Sequence, residues 1–411
     1  MTAPIDRLAE LAGIEPIYFD AWGNRNVVSA ESKRRLLAGM GFDVSSDEAV
    51  GRVAAEVEAK PWGRLAPPVV VATQGEVAVP LTVGAEAALD PVVWTVTLED
   101  GGTRRGEADL AALAAEGEHR LPEGLRRRLR LPLPGDLPTG YHRLALELGG
   151  QRAELSLIVA PGTCFGTGDV PGLPNGRAWG LTCQLYSLRD GQDWGIGDFA
   201  SLAAAAERAG ALGANLLGVN PLHTLFYVAP EAKSPYFPST RNFLNYLYIA
   251  LPSVPEFAEA AETRAMMADD AFRSRLEAAR AAAHVDYTAV AALKKPALEA
   301  CYAAFRKANL GRKKTERGAA FRAFQAEMGA ALRGLALYEA LQEHLFGRDM
   351  QQFGWPQWPE AYRDPSSETV RKFEQDNLAR VEYFEYLQFL ADEQLAAACA
   401  RGAKAGLKVG I

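Results

Sequence analysis

The chain has 411 residues, of which 48% are hydrophobic and 23% charged, an ordinary globular composition for two or three domains. Its 44 Lys and Arg against 51 Asp and Glu give a formal net charge of −7, which argues against nucleic acid as a partner because nucleic-acid-binding surfaces are basic. The sequence contains no run of about 18 apolar residues and no apolar signal core at its start. We therefore expect a cytoplasmic protein without a membrane partner.

Cysteine and histidine spacing gives no metal or cofactor signature. The four cysteines are far apart without a Cys-x-x-Cys pair, and the five histidines have no metal-ligand spacing. Cys183, inside an apolar run, is predicted to be a buried free thiol. No P-loop, Gly-x-Ser-x-Gly or dinucleotide motif occurs. We predict no metal and no organic cofactor.

Residues 1–62 are predicted to form a helical segment. Ser29 is predicted to cap a second helix, and Ser45 with Glu48 has the spacing of a capping box before a third. In the first helix, apolar residues recur on one face, at Ile5, Leu8, Leu11 and Ala12.

Residues 63–162 have the short alternating strands of a β-sandwich. Val-rich runs begin near 69, 77 and 92, and the segments 144–148 and 153–159 flank Gly149-Gly150 as a hairpin. Strands at this spacing predict two packed sheets. Because no titratable residues cluster along this sequence, we expect a structural or carbohydrate-contacting module.

From residue 163 to 411 the pattern becomes that of an α/β barrel. Apolar strands are predicted at 179–188 and 215–222, separated by a helix that Asp198 would cap. Continuous apolar strands favour a parallel sheet that is covered on both faces.

Helical patterns then fill about 255–400, strongest at about 255–345 and 367–404, and a third apolar strand begins at 406–411. A single βαβ unit cannot close a barrel. We therefore expect a multidomain chain whose last part is an incomplete (β/α)8 barrel with a large helical insertion.

The segment 226–248 is the densest candidate for a binding site. It follows the second strand, where parallel α/β folds place ligand sites. Its polar and aromatic mixture suits sugar rings and hydroxyls, and the alternative is a loop that packs its aromatic side chains into the core. Seven aromatic residues fall in 23 positions, where the chain average of 9% gives about two: Phe226, Tyr227, Tyr236, Phe237, Phe243, Tyr246 and Tyr248.

A second group of residues follows the first strand and is expected at the same rim. Trp355 and Trp358, in a Pro-rich turn, are predicted to be packing anchors, and the basic run 306–317 is predicted to be a solvated connection between helices. The second group comprises Gln184, Tyr186, Ser187, Arg189, Asp193, Trp194 and Asp198.

Four ordered stretches resemble the 4-α-glucanotransferases, also called amylomaltases or disproportionating enzymes. Residues 1–162 resemble the extension found on the longer bacterial members. Tyr246 stands where many members have Pro, Ala250 where many have Asp, and Asp193 replaces a frequent Asn. The four stretches are WGLTCQLYSLRDGQDWGIGDF (179–199), NLLGVNPLHTLF (215–226), SPYFPSTRNFLNYLYI (234–249) and WPQWPEAYRDP (355–365).

The resemblance implies an enzyme that moves α-1,4-glucan segments to glucose or maltooligosaccharide acceptors by a retaining mechanism through a covalent glycosyl-enzyme. It implies that Ser234, Tyr236 and Asn245 contact substrate and that Trp194 and Asp198 hold a structural loop. In the family the nucleophile Asp, the acid/base Glu and a stabilising Asp follow the third strand. They are therefore expected beyond residue 411, and a chain without them is expected to be inactive alone.

Two alternatives remain. In the first, the chain is a complete non-catalytic glucan-binding or scaffolding protein derived from such an enzyme. It would then be expected to end in a polar cap, whereas residues 408–411 are Lys-Val-Gly-Ile. In the second, the chain belongs to a different barrel enzyme with a shared ancestral start, which would hydrolyse glucans without transferring them.

Overall fold

The computed structural model of the protein describes residues 3–84, 90–311 and 314–411. The chain forms two compact units, Met1–Cys164 and Phe165–Ile411, and each is described by itself. Two residues of the predicted basic connection, Arg312 and Lys313, lie outside the described residues.

The first unit begins with three helices that share one small apolar core. Ile5 and Leu8 pack with Leu37 and Val50, and Leu11 and Ala12 lie at the edge of this core. A hairpin of two three-residue strands was not predicted, because strands this short show no alternation. The elements are α1 (Pro4–Leu11), β1 (Ile17–Phe19), β2 (Arg25–Val27), α2 (Ala30–Gly39) and α3 (Asp47–Ala59).

Serine side chains cap two of these helices. The prediction for α2 is confirmed, because the Ser29 hydroxyl accepts the backbone N–H of Ser32 (3.1 Å). The prediction for α3 is wrong by one residue. Ser46 has the extended backbone of a cap, and its hydroxyl accepts the N–H of Ala49 (3.1 Å), so the Ser45–Glu48 pairing is not made.

The β-sandwich is confirmed as two sheets around an aliphatic core. Their strands pair antiparallel, except that β3 is parallel to β10. One sheet has the order β3-β10-β9-β5-β6 and the other β4-β8-β7. The strands are β3 (Val69–Thr73), β4 (Ala78–Gly84), β5 (Val92–Thr97), β6 (Thr103–Ala108), β7 (Ala114–Leu121), β8 (Gly124–Pro132), β9 (Gly140–Leu148) and β10 (Gln151–Ala160).

Alternation decides which strand residues enter this core. Leu144, Leu146 and Leu157 are fully buried, while their strand neighbours face outward. The predicted hairpin is present: β9 and β10 pair antiparallel, and both glycines of the Gly149-Gly150 turn have positive φ, the left-handed region that a tight hairpin turn requires.

The second unit begins with the predicted βαβ arrangement. Its elements are β11 (Gly180–Cys183), α4 (Phe199–Ala211) and β12 (Leu216–Val219), with β11 and β12 parallel. Gly410 forms a parallel bridge to Leu216 of β12, and this bridge marks the start of the predicted third strand. Both strands are shorter than predicted.

The prediction that β11 is covered on both faces is wrong. Leu181 is 47% exposed, and Trp179, just before the strand, is 51% exposed. Cys183, at the end of the same strand, is only half-buried. The fully buried thiol is Cys301, inside a long helix.

The predicted helical patterns are helices in the structure. They are α5 (Pro255–Glu259), α6 (Ala261–Ala268), α7 (Asp270–Ala281), α8 (Tyr287–Asn309), α9 (Glu316–Phe346), α10 (Glu368–Asp376) and α11 (Leu378–Ala405), and two short strands precede them, β13 (His223–Thr224) and β14 (Thr240–Leu244). α9 is interrupted at Gly329, whose backbone is non-helical. None of the helices among the described residues has the length and apolar composition that a membrane span requires.

Candidate functional site

The loop after β11 is held by the cap of α4. Asp198 is 2% exposed, and its carboxylate accepts the N–H groups of Ala200 (3.0 Å) and Ser201 (3.1 Å), the predicted capping arrangement. Burial raises the pKa of Asp198, and the charge of Lys294 opposes this rise. A side chain at Gly197 would overlap the carbonyl oxygen of Leu185, so only glycine allows this close approach.

Two further carboxylates fix the rest of this loop. The Asp193 carboxylate accepts hydrogen bonds from Arg189 Nη1 (3.0 Å) and from the backbone N–H of Gly195 (3.0 Å). Asp190 accepts the hydroxyl of Ser201 (2.7 Å). Partial burial alone would raise the pKa of Asp190, but this hydrogen bond and two backbone N–H groups together lower it. These hydrogen bonds therefore fix the conformation of the loop from within.

Asn220 joins the ends of the two parallel strands. Its Oδ1 accepts the N–H of Leu185 (2.7 Å) after β11, and its Nδ2 donates to the hydroxyl of Tyr248 (3.2 Å). Burial raises the pKa of Tyr248 to about 12, although the bond to Asn220 opposes this shift. The side-chain amide of Asn220, which is 6% exposed, thus connects β11, β12 and the aromatic segment through hydrogen bonds.

The aromatic side chains of the segment 226–248 divide between the core and the solvent. The alternative that all of them pack into the core therefore holds only for the buried ones. Tyr236 and Phe237 are 71% and 75% exposed. The buried members, at 8% exposure or less, are Tyr227, Phe243, Tyr246 and Tyr248.

Two glutamines of α11 hold the backbone of this segment. Gln388 accepts the N–H of Leu244 (2.9 Å) and donates to its carbonyl (2.9 Å). Gln394 does the same for Ala250, at 2.7 and 3.1 Å. Each side-chain amide thus satisfies one backbone N–H and one backbone carbonyl of the segment.

Two lysines of α8 donate hydrogen bonds to backbone carbonyls of the aromatic segment and the residue after it. Lys294 is fully buried and donates to the carbonyls of Leu247 (2.7 Å) and Ile249 (2.9 Å). Burial lowers its pKa to about 8, and Asp198 opposes the shift. Lys295 donates to the carbonyl of Tyr227 (2.5 Å).

A cavity of about 540 Å3 lies beside the loop after β11. It is lined by residues of that loop, by residues of the segment 226–248, and by the connection between α7 and α8. Lys233 Nζ lies 5.7 Å from the centre of the Tyr287 ring. The cavity therefore combines aromatic faces with charged donors and hydroxyls. Its principal lining residues are Tyr186, Ser187, Arg189, Lys233, Arg280 and Tyr287.

The residues that the resemblance nominated lie in different environments. Ser234 and Tyr236 are exposed, on either side of Pro235, which lines the cavity. Asn245 is 1% exposed, and its Oδ1 accepts the N–H of Leu247 (3.0 Å). The predicted substrate contact of Asn245 therefore stays a prediction, and the bond to Leu247 shows only that this side chain also caps the turn that follows it. Trp194 is 1% exposed, in the core behind the loop.

The tryptophan turn is only partly the packing anchor that was predicted. Trp358 is 3% exposed and stacks on Tyr338, whereas Trp355 is 57% exposed. Within the described ranges, no group of three or more His, Cys, Asp or Glu side chains is placed to hold a metal ion.

Sequence reasoning missed Asn220, Lys294, Gln388 and Gln394. The only available signal was a polar residue on the apolar face of a strand or helix, and such a residue does not reveal its partner. Gln388, for example, lies 144 residues from Leu244 along the chain.

Comparison with known proteins agrees with this architecture. Residues 183–411 match the family described as 4-alpha-glucanotransferase, and residues 65–161 match the MalQ N-terminal beta sandwich domain. The 4-alpha-glucanotransferase of Mycobacterium tuberculosis is 32% identical, over all of this chain and 55% of its own length. That of Haemophilus influenzae is 33% identical, over 68% of this chain and 40% of its own.

A solved structure extends the likeness to the fold. The amylomaltase of Corynebacterium glutamicum superposes with a TM-score of 0.77 at 27% identity, covering 98% of this chain and 53% of that one. The chain thus spans about half the length of these relatives. The family match covers more than half of the chain, and the chain belongs to the 4-alpha-glucanotransferase family.

Proposed function

We propose that the protein carrying this chain transfers α-1,4-glucan segments to glucose or maltooligosaccharide acceptors by a retaining double displacement. The supporting observation is the exposed Tyr236 next to the cavity at the end of β11, in a segment whose later part, residues 244–250, is held by Gln388, Gln394 and Lys294.

Within this proposal, the chain binds and orients the donor glucan. Tyr236 offers its ring to a sugar face, and Ser234 offers a hydroxyl beside it. Ser187 and Arg189 add a hydroxyl and a cationic donor from the loop after β11. We assign no catalytic carboxylate among the residues of this chain.

A cytoplasmic location is part of the same proposal, with soluble glucans as partners. All four cysteines are free, which suits a reducing compartment. The net charge of −7 disfavours nucleic acid as a partner.

The binding part is tested by titrating the 411-residue chain with maltoheptaose in a calorimeter. Tyr236→Ala should weaken binding at this loop about tenfold, a loss of about 1.4 kcal/mol, whereas Tyr236→Phe should retain most of the affinity there. Phe237→Ala is the matched control, since this neighbouring ring is equally exposed. Equal losses from both alanine variants would contradict the assignment of Tyr236.

The catalytic part is tested on the intact protein with maltotriose. Transfer produces glucose and longer maltooligosaccharides without a net rise in reducing ends, whereas hydrolysis raises them. Binding without any redistribution of chain length would instead favour the non-catalytic glucan-binding alternative.

A further inference from the structure

The outward face of the five-stranded sheet forms a groove in the first unit. A cavity of about 540 Å3 lies on β5, β9 and β10. Strand register brings its side chains together, because directly opposed residues share one face. Arg143 is opposite Thr97 on one side and Ser156 on the other, and Glu147 is opposite Arg152.

The charges of this outer groove cancel. It is lined by two arginines, Arg143 and Arg152, and two glutamates, Glu147 and Glu154. Arg152 pairs with Glu154 at 2.8 Å, while both side chains stay about two-thirds exposed. A groove without net charge has no preference for a polyanion or a strongly charged peptide.

Its hydrogen-bonding groups are mixed and accessible. The arginines donate, the glutamates accept, and Thr95, Thr97 and Ser156 do both. A sugar hydroxyl also donates and accepts at once, so a neutral polyhydroxylated chain matches this lining better than a ligand that only donates or only accepts.

An exposed aromatic side chain lies at one end of the groove. Tyr141 precedes Arg143 on the same face of β9 and is 71% exposed. Across the sheet, β3 adds Val69 and Val71, which are 50% and 66% exposed and share this face through their partners Ser156 and Ile158. The sheet therefore presents an apolar platform that continues into a polar groove, the combination that a sugar ring and its hydroxyls require.

We propose that the outer groove is a second glucan-binding site, with one sugar ring on Tyr141 and the following hydroxyls on the arginine and glutamate side chains. The choice of an α-1,4-linked glucan rests on the proposed function. The choice of a neutral carbohydrate rests on the groove alone.

The test is calorimetric titration of the full 411-residue chain with maltoheptaose. Two sites are expected in the unsubstituted chain. Tyr141→Ala should weaken one of them about tenfold, a loss of about 1.4 kcal/mol, and leave the other unchanged. Tyr236→Ala should weaken only the other, and the double variant should lose both.

Controls separate this site from its alternatives. Tyr18→Ala removes another exposed tyrosine of the same unit, 54% exposed, and should change nothing. Arg143→Ala should repeat the loss seen in Tyr141→Ala, with an unchanged melting temperature for both. Cellohexaose, whose linkages are β-1,4, should bind the groove weakly.

Several results would overturn the inference. If maltoheptaose binding is the same in Tyr141→Ala and the unsubstituted chain, the groove is not a glucan site. If the only effect of Tyr141→Ala is a smaller species in size-exclusion chromatography, the face is a contact between copies. Equal binding of cellohexaose overturns the choice of linkage. If Tyr236→Ala alone has no effect, the assignment of Tyr236 in the proposed function fails while the groove stands.

Discussion

The two units bury polar side chains to very different extents. Among the described residues, the first unit has three buried polar or charged side chains, and the second has thirteen. The first unit has an aliphatic sandwich core of Val and Leu, whereas the second has a core rich in Tyr, Phe and Trp. This difference follows from how each unit satisfies its backbone.

In the sandwich, strands satisfy one another, so the core needs only apolar side chains. His142 is one of the few exceptions, accepting the N–H of Glu99 (3.2 Å) where the strands turn. The second unit has strands of only two to five residues and many irregular connections. Its backbone therefore relies on buried side chains such as Gln388 and Lys294, and these residues also shape the candidate site.

The largest effect should come from removing one of these supports. Gln388→Ala leaves the N–H and carbonyl of Leu244 without this partner. Two orphaned groups at about 1–3 kcal/mol each set a range of about 2–6 kcal/mol, and because Leu244 is only half-buried we expect the lower part of it, about 2–4 kcal/mol. Urea unfolding followed by circular dichroism measures the loss. Lys404→Ala, at an exposed position of the same helix, should change stability by less than about 0.5 kcal/mol. Equal stability of both variants would remove the distinction drawn between the units.

A pH dependence should arise from a carboxyl in the second core. Glu339 is 4% exposed, and its Oε1 has no hydrogen-bond partner in the part of the chain that the structure describes. Burial, with the nearby charge of Glu343, raises its pKa to about 8 from an ordinary 4.5, although Lys295 opposes the shift. Between these two values the folded chain holds a proton that the unfolded chain releases, so stability falls as pH rises from about 4.5 to 8.

Glu339→Gln mimics the protonated carboxyl and cannot titrate. The variant should match the unsubstituted chain near pH 5 and exceed it by more than about 1 kcal/mol near pH 8, since each pKa unit corresponds to about 1.4 kcal/mol. Unfolding free energies across this range measure the difference. Glu327→Gln, at an exposed position of the same helix, is the control. Parallel pH profiles for both variants would show that Glu339 is ionised in the folded chain.

The smallest effect concerns a helix cap of the first unit. Ser46→Ala should cost about 1 kcal/mol, because its hydroxyl accepts the N–H of Ala49 at the start of α3. Ser45→Ala, one residue earlier, should be nearly neutral. Thermal melts of the two variants compare them directly, and the reverse order would restore the capping box expected from the spacing.

The sequence predicted what depends on near neighbours. Alternation between Leu144 and Leu148 located a strand, and the position of Asp198 before an apolar helix located a cap. The choice between Ser45 and Ser46 failed because both serines precede the same helix, and only the extended backbone of Ser46 selects one of them. For the site, sequence located the loops but not the supports beneath them.

What the sequence determined by itself is therefore local: the strand and helix periods, most caps, and the four motifs that carry the family resemblance. Tertiary structure alone decided which long-range pairs form, from Gln388 beside Leu244 to Arg143 beside Thr97. It also decided which aromatics of 226–248 enter the core and which, like Tyr236, stay exposed. The physical reason is that periodicity records which face of an element is apolar, whereas a hydrogen bond or a groove depends on how distant elements pack.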